Sequence, residues 1–208
     1  MRTVFDSMRP ERGSKPFIAM RVVTDTSVAI YAGGKSSRFG SPKIKAKIND
    51  QEFGLLIIET LKRAGFVNIS LIGGNREDAR RWGVDFHEDV YPESGPLGAL
   101  LTALHACQTE RLMTLPCDVP FIDEDTCRRL SDLASGVEVL VARTDTPQWL
   151  CSTWRRSTYA LIESEFKWGE RAIHRVVEKL KYDFVDISSE ILLNVNEPSQ
   201  LKHLPDTN

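Results

Sequence analysis

The sequence has little histidine, little cysteine and almost no net charge. Its 208 residues carry a formal charge of −2, so no global positive field is available to hold DNA or RNA. No stretch approaches the roughly 18 consecutive apolar residues that a membrane-spanning helix needs, and no long apolar segment of an export signal follows the first basic residues. We therefore expect neither a nucleic-acid partner nor a membrane partner.

The few cysteines and histidines also limit the kinds of site that the chain can build. The four histidines are scattered without an H-E-x-x-H pattern, which disfavours a histidine-built zinc site. The four cysteines are widely spaced and form no C-x-x-C pair, which is typical of a reduced, cytoplasmic protein. They are Cys107, Cys117, Cys127 and Cys151.

The first residues differ in composition from the remainder of the chain. Residues 1–26 mix Arg, Lys, Pro, Gly and Asp without a sustained period, which predicts an irregular or flexible leader. The chain is 41% hydrophobic, and residues 27–208 are long enough to bury one substantial core. We expect these residues to form a single domain.

Short β-branched apolar runs alternate with longer amphipathic segments from residue 27 onward. This alternation predicts an α/β fold with three layers, α/β/α, in which a mostly parallel sheet is covered by helices on both faces. In such sheets, ligands bind beyond the carboxyl ends of the strands. The expected strands are Val28–Tyr31, Asn68–Ile72, Val84–His87, Leu112–Leu115 and Val137–Ala142, and the expected helices are Phe53–Ala64, Arg76–Trp82, Leu97–Cys107 and Glu124–Leu133.

The C-terminal part of the chain has a less regular pattern. We expect a helix over Gly169–Lys181, a strand over Tyr182–Ile187 and a short terminal helix opened by Pro198, whose missing N–H is harmless there. The Trp- and Cys-rich segment from Gln148 to Trp154 suggests an edge strand over an acceptor site.

A glycine-rich loop, A-G-G-K-S-S-R-F-G-S-P-K, directly follows the first expected strand. Its glycines let backbone N–H groups approach a ligand closely, and Lys35, Arg38 and Lys43 bring positive charge to the same turn. This combination suits a triphosphate. A P-loop is disfavoured because Ala29 takes its first glycine position inside the strand, and the G-x-G-x-x-G dinucleotide pattern is absent. An ordinary surface turn is the alternative interpretation.

Two acids also follow expected strands. Asp118, in L-P-C-D-V-P-F, comes just after an expected parallel strand, on the side of the sheet where ligands bind. A carboxylate there can hold a magnesium ion that bridges phosphates. Alternatively, the aspartate only caps a turn. Asp89 precedes Gly95-Pro96-Leu97, which opens a helix. A helix N-terminus offers unpaired N–H groups to a phosphate or a base edge, although Pro96 also suits a plain loop-to-helix junction.

The stretch from Tyr31 to Lys43 resembles the L-A-G-G-x-S-x-R-M-G-x-x-K signature of the molybdenum cofactor guanylyltransferases. The resemblance implies a Rossmann-like nucleotidyltransferase fold, with Arg38 and Lys43 on the phosphates. It places the residues that contact the nucleoside at Tyr31, Ala32, Gly33 and Gly34. Tyr31 replaces the usual leucine, Phe39 the methionine and Pro42 the aspartate. The proline also occurs in related cytidylyltransferase patterns, so the choice between guanine and cytosine stays open.

Further motifs resemble the family in the expected order. C-D-x-P-F matches its metal-binding motif at Asp118, and E-D followed by G-P-L assigns Asp89, Gly95, Pro96 and Leu97 to the nucleotide. The turn G-G-N-R adds Asn75 as a nucleotide contact. The N-V-N-E-P segment adds Asn196, whose carbonyl would complete a magnesium shell or orient the acceptor, unless it only caps the next helix. The G-E-R at residues 169–171 resembles an element near the acceptor.

By this resemblance, the chain transfers GMP from GTP to the phosphate of molybdenum-carrying molybdopterin. The reaction uses Mg²⁺ and yields the guanine dinucleotide cofactor and pyrophosphate, with Arg38, Lys43 and Asp118 as catalytic residues. The resemblance also implies contacts with other cofactor-biosynthesis proteins or apoenzymes. The alternatives are another nucleotide such as CTP, another phosphorylated acceptor, or a nucleotide-binding homologue without turnover. Each of these transferase reactions requires Lys43 and Asp118 to lie in the same pocket.

Overall fold

The computed structural model describes residues 22–33 and 42–195. Within them the strands are β1 Val23–Tyr31, β2 Lys47–Ile48, β3 Gln51–Glu52, β4 Phe66–Ile72, β5 Asp85–His87, β6 Arg111–Pro116, β7 Val139–Arg143, β8 Pro147–Arg155 and β9 Tyr182–Asp186. The α-helices are α1 Phe53–Ala64, α2 Arg76–Trp82, α3 Gly95–Ala106, α4 Glu124–Ser131, α5 Tyr159–Lys167 and α6 Ile173–Val177. In this part of the chain, every helix is too short or too polar to cross a membrane.

One seven-stranded sheet organises the molecule, in the order β5-β4-β1-β6-β8-β7-β9. β8 runs antiparallel to both of its neighbours, and the other adjacent pairs are parallel. After β1, the strands β4 and β5 are added in turn on one side of β1, and β6 is then added on its other side. Because the strand order reverses between β1 and β6, the crevice for a ligand is expected at the carboxyl ends of these two strands.

Alternating side chains of the strands build a core on each face of the sheet. In β1, Val28 and Ile30 pack on the face covered by α1, α2 and α4. Ala29 and Tyr31 pack on the opposite face, which α3, α5 and α6 cover. The three-layer α/β/α fold with a mostly parallel sheet is thereby confirmed.

Local signals explain why the helices α1 and α2 have the expected limits. α1 ends at Gly65, whose φ of 101° is left-handed and whose N–H bonds to the carbonyls of Leu61 and Lys62. α2 begins after Asn75, whose side chain accepts the N–H of Glu77. β1 begins at Val23, before the expected start of the domain at residue 27. The helix expected at Pro198 lies outside the described residues.

The expectation of an edge strand at Gln148–Trp154 is wrong. β8 lies inside the sheet, between β6 and β7, and among the described strands the edges are β5 and β9. Its C-terminal part is packed on both sides, and Trp154 is fully buried. The Trp154 indole N–H donates to the Thr114 hydroxyl at 3.2 Å, so its polar atom is satisfied across the strands.

The helix expected over Gly169–Lys181 is also too long. Gly169 has a left-handed φ of 97°. The Glu170 carboxylate accepts the N–H groups of Arg171 and Ala172 at 2.8 Å each, so the chain turns before α6 starts. The helix α5 and the two-stranded β2–β3 hairpin were not expected from the sequence.

Candidate active site

Four parallel strands end at the same level of the sheet. Tyr31 of β1 pairs with Ile72 of β4 and Pro116 of β6, and Ile72 in turn pairs with His87 of β5. The loops after these strands therefore start side by side. They carry Ala32–Gly33, Gly73–Gly74, Glu88–Asp89 and Cys117–Asp118. We call this side of the sheet the ligand edge.

The loops after β1, β4 and β5 approach one another so closely that little room is left for side chains. Gly73 and Gly74 have left-handed φ angles of 69° and 77°. A Cβ on Gly74 would lie 2.9 Å from the Ala32 Cβ, and one on Gly73 would lie 3.3 Å from the Gly33 Cα and 3.8 Å from the Asp89 Cβ. Glycine is required here because another residue would be both strained and crowded. The surface formed at this point is mostly backbone.

The structure brings Lys43 and Asp118 into direct contact. The Lys43 ammonium donates to Asp118 Oδ2 at 2.7 Å, although the residues are 75 positions apart in the chain. Both side chains are mostly buried, with exposed fractions of 17% and 20%. Lys43 opens a 3₁₀ turn whose next residue, Ile44, is buried in the core. This buried neighbour fixes the backbone from which the ammonium reaches the ligand edge.

The two carboxylate oxygens of Asp118 differ, because Oδ2 accepts from Lys43 and Oδ1 does not. Its Oδ1 is buried and has no hydrogen-bond partner within residues 22–33 and 42–195. A buried carboxylate oxygen without a partner is costly, so its position indicates a ligand that completes the site. The Asp118 carbonyl accepts the N–H of Val195 at 3.0 Å, which brings Val195 to the same loop.

Asp89 is held in place between its loop and α3. Its Oδ1 accepts the N–H of Tyr91 at 3.0 Å and the hydroxyl of Thr102, on α3, at 3.2 Å. α3 itself begins at the ligand edge, and Ser94 at its N-cap makes no side-chain capping bond. The first-turn N–H groups are therefore not capped by that side chain.

Other residues predicted to bind the nucleotide also have structural roles. Leu97 is fully buried, and Tyr31 is 8% exposed, so they would contact a ligand mainly through the backbone. Burial raises the pKa of the Tyr31 phenol, and the Thr114 side chain opposes that rise. The Asn75 side chain caps α2 at 2.8 Å.

Three predicted site residues lie outside the described residues. They are Gly34 and Arg38 in the glycine-rich loop, and Asn196 after Val195.

The cysteines beside the site are buried thiols. All four cysteines of the chain are free and buried. Burial raises the pKa of Cys117 to about 12, with a further contribution from the neighbouring Asp118 carboxylate. Burial also raises the pKa of Cys151. Because a thiol is reactive only as a thiolate, neither group can serve as a nucleophile near neutral pH.

A group of side chains at the ligand edge of β7, β8 and β9 was not expected from the sequence. Arg143, at the end of β7, donates to Asp186, at the end of β9, at 2.6 Å. Its guanidinium lies 4.9 Å from the centre of the Phe184 ring, and the Trp149 ring lies 6.4 Å from Phe184. The only sequence signal was the Trp-rich segment itself, since these residues meet only through the pairing of β7 with β8 and β9.

The G-E-R element also comes near the ligand edge. The Arg171 guanidinium lies 3.9 Å from the centre of the Phe166 ring and donates to the Phe166 carbonyl at 2.8 Å. The Phe166 ring in turn lies 4.8 Å from Tyr91, in the loop that holds Asp89. Arg171 therefore anchors the C-terminal end of α5 beside that loop.

The chain is similar to known proteins along most of its length. The family model of the MobA-like NTP transferase domain matches residues 28–204. A probable molybdenum cofactor guanylyltransferase of Clostridium perfringens (strain 13 / Type A) is 32% identical over 141 residues, which cover 67% of this chain and 70% of that protein. A protein of the same description from Aquifex aeolicus (strain VF5) is 28% identical over 179 residues, 84% of this chain and 88% of that protein.

A solved structure shares the fold. The crystal structure of molybdopterin-guanine dinucleotide biosynthesis protein A from Archaeoglobus fulgidus superposes with a TM-score of 0.71 at 19% identity, over 85% of this chain and 95% of that one. With the family model spanning the glycine-rich loop, Lys43, Asp118 and the N-V-N segment, this chain belongs to the MobA-like NTP transferase family and is a nucleotidyltransferase.

Proposed function

We propose that this nucleotidyltransferase moves GMP from GTP to the terminal phosphate of molybdenum-carrying molybdopterin and releases pyrophosphate. The observation that carries the proposal is the partly buried pair of Lys43 and Asp118 at 2.7 Å, near the carboxyl ends of the neighbouring strands β1 and β6. The names of the relatives in Clostridium perfringens and Aquifex aeolicus support guanine and the molybdenum cofactor as substrates.

The glycine-rich half of the ligand edge suits the nucleotide. Gly33 and Gly73 pack backbone against backbone, and their lack of a Cβ would let a flat base or a ribose approach the main chain closely. The N-terminus of α3 offers N–H groups and the positive end of its dipole to the triphosphate. We keep Arg38 and Gly34 as proposed contacts of the same loop.

Asp118 fits a magnesium ion. Its buried Oδ1 without a hydrogen-bond partner among the described residues is the kind of hard oxygen ligand that Mg²⁺ prefers. Within residues 22–33 and 42–195, no three His, Cys, Asp or Glu side chains gather into a metal site. This fits magnesium, which usually takes one or two carboxylates and fills its shell with phosphate oxygens and water. Bound there, the ion would neutralise charge on the departing pyrophosphate.

The transfer needs alignment and positive charge more than a general base. A phosphate monoester has a second pKa of about 6 and is largely dianionic at pH 7, so its oxygen is already nucleophilic. That oxygen attacks the α-phosphorus of GTP, the bond to the bridging oxygen of the β-phosphate breaks, and pyrophosphate leaves with the electron pair. Lys43 would turn from Asp118 to the phosphates and stabilise the charge that develops. Asn196 is proposed to complete the magnesium shell or to orient the acceptor.

A pyrophosphate-release assay with molybdopterin tests the proposal. GTP, CTP, ATP and UTP are compared in turn, with and without Mg²⁺. We expect release that needs both GTP and Mg²⁺, and a product with the mass of the guanine dinucleotide. Turnover with CTP in place of GTP would refute guanine as the base. GTP binding without release of pyrophosphate would refute the transferase role for this acceptor.

A further inference from the structure

Strand β8 carries a large bulge at the ligand edge. Val141 of β7 pairs with Ser152, but the next residue, Ala142, pairs with Gln148. The residues Trp149, Leu150 and Cys151 are therefore left without a partner on β7. The Ser152 hydroxyl donates to the Trp149 carbonyl at 3.0 Å and closes the bulge. Since a bulge bends its strand and re-aims a side chain, it determines where the Trp149 ring lies.

The bulge lies on the side of Asp118 that faces away from the glycine-rich loop. β6, which leads into Asp118, has β1 as one neighbour and β8 as the other. Toward the ligand edge, the last pair between β6 and β8 joins Thr114 to Ser152. Beyond it, one strand continues to Asp118 and the other to Trp149. An acceptor that reaches Asp118 from the side of β8 therefore passes the bulge.

Trp149 belongs to a partly open aromatic surface. We define the aromatic platform as the rings of Trp149, His174 and Phe184. The Trp149 ring lies 6.2 Å from His174, tilted by 44°, and 6.4 Å from Phe184, tilted by 61°. Neither ring is stacked flat on Trp149, which is itself only half-buried. The Arg143 guanidinium lies over Phe184 at the border of the platform, where it is paired with the Asp186 carboxylate.

The geometry points to Trp149 as the residue that selects the acceptor, by stacking on the flat pterin ring of molybdopterin. This inference rests on the proposed function, which requires an acceptor with a phosphate at one end and a fused heteroaromatic ring at the other. A sugar phosphate or a polyol phosphate has no flat π-face to place on Trp149. The platform thereby favours a pterin over these smaller acceptors.

A pair of substitutions at Trp149 separates stacking from bulk. Trp149→Leu removes the π-system, whereas Trp149→Phe retains one. We expect Trp149→Leu to raise the KM for molybdopterin about tenfold, or about 1.4 kcal/mol, which lies within the range of aromatic stacking on a nucleobase. The KM for GTP and the kcat at saturating acceptor stay unchanged, and Trp149→Phe stays near the wild type. Tyr182→Leu is the matched control, because Tyr182 is an exposed ring on β9 that contacts Phe184 but lies outside the platform.

A binding measurement tests the platform independently of turnover. Fluorescence of 6-hydroxymethylpterin phosphate is followed as protein is added. We expect quenching by the wild type, Trp149→Phe and Tyr182→Leu, and a loss of quenching with Trp149→Leu. The absence of quenching by the wild type overturns the inference even if Trp149→Leu does not fold. An unchanged acceptor KM in Trp149→Leu overturns it too, as does an equal rise in the KM for GTP. Failure of GMP transfer by the wild type, with pterin quenching intact, would count against the proposed function alone.

Discussion

The two halves of the ligand edge are built in different ways. In the half formed by β1, β4 and β5, parallel strands end at the same level, and the glycines that follow β1 and β4 pack backbone against backbone. In the half formed by β8, β7 and β9, an antiparallel strand with a bulge presents large side chains, including Trp149. A backbone surface has few ways to vary, whereas a side-chain surface can change with single substitutions. The comparison suggests that the first half serves a constant substrate and the second determines which acceptor is used.

The junction of the two halves carries the largest expected effect. We expect Asp118→Ala and Lys43→Ala each to lower kcat at least about 100-fold, the usual cost of removing one preorganised charged contact from a transition state. Matched controls are Asp125→Ala, an exposed acid, and Lys45→Ala, the basic residue two positions after Lys43 that pairs with Asp78. Pyrophosphate release measures the effect, and circular dichroism checks the fold. Equal losses in a control and its test variant would show that the junction has no special role.

The half formed by β1, β4 and β5 can be perturbed without changing a charged residue. Gly74→Ala puts a Cβ 2.9 Å from the Ala32 Cβ at a φ of 77°. We expect the free energy of unfolding to fall by about 2–5 kcal/mol, since left-handed strain costs roughly 1–2 kcal/mol and overpacking about 1–3 kcal/mol. Gly136→Ala is the matched control, with a similar φ of 81° but no atom within 4 Å of the new Cβ. In urea denaturation, Gly136→Ala should lose only the free energy that corresponds to the left-handed strain. Equal losses of unfolding free energy in the two variants would mean that the loops do not pack tightly.

A buried hydrogen-bond network joins β6 to β8 below the ligand edge. The Thr114 hydroxyl accepts the Trp154 indole N–H at 3.2 Å and donates to the Ser152 carbonyl at 3.1 Å. Thr114→Val leaves the indole N–H buried without a partner, so we expect a loss of about 1–3 kcal/mol in the free energy of unfolding. Thr114→Ser keeps the hydroxyl and serves as the control. If Thr114→Ser costs as much in urea denaturation, the methyl group and not the network stabilises the junction.

The smallest effect concerns the exposed ion pair at the border of the acceptor half. Hydrogen bonding from Arg143, followed by the charge of Arg143, lowers the pKa of Asp186 below its usual range. A depressed carboxyl pKa adds stability above the unfolded-state pKa of about 3.9. This contribution is lost as the pH falls through the lowered value. We expect Arg143→Gln to lower the melting temperature slightly at pH 7, and we expect this difference to shrink as the pH is lowered through the acidic range. A difference that does not shrink on acidification would show that Arg143 acts by packing on Phe184.

The sequence predicted the repeating part of the fold well. The limits of α1 and α2 agree with the expectation because caps such as Gly65 and Asn75 act within one turn of the helix. The helix α5 was missed. The helix expected from residue 169 was too long, because Gly169 and Glu170 form a turn between α5 and α6. Lys43 and Asp118 were identified by motif and by their positions after strands. Their contact, at 2.7 Å, became visible only in the structure.

The sequence by itself determined which residues follow each parallel strand, because apolar periodicity and glycine positions are local properties of the chain. The tertiary structure decided the order of the strands, and so decided that β8, which carries Trp149, lies inside the sheet beside β6, the strand that leads to Asp118. It also decided that Asp118 keeps one buried oxygen without a partner among the described residues. Strand order depends on contacts between distant segments, whose free energy is gained only when both faces of the sheet are covered. No local pattern in the sequence carries that information.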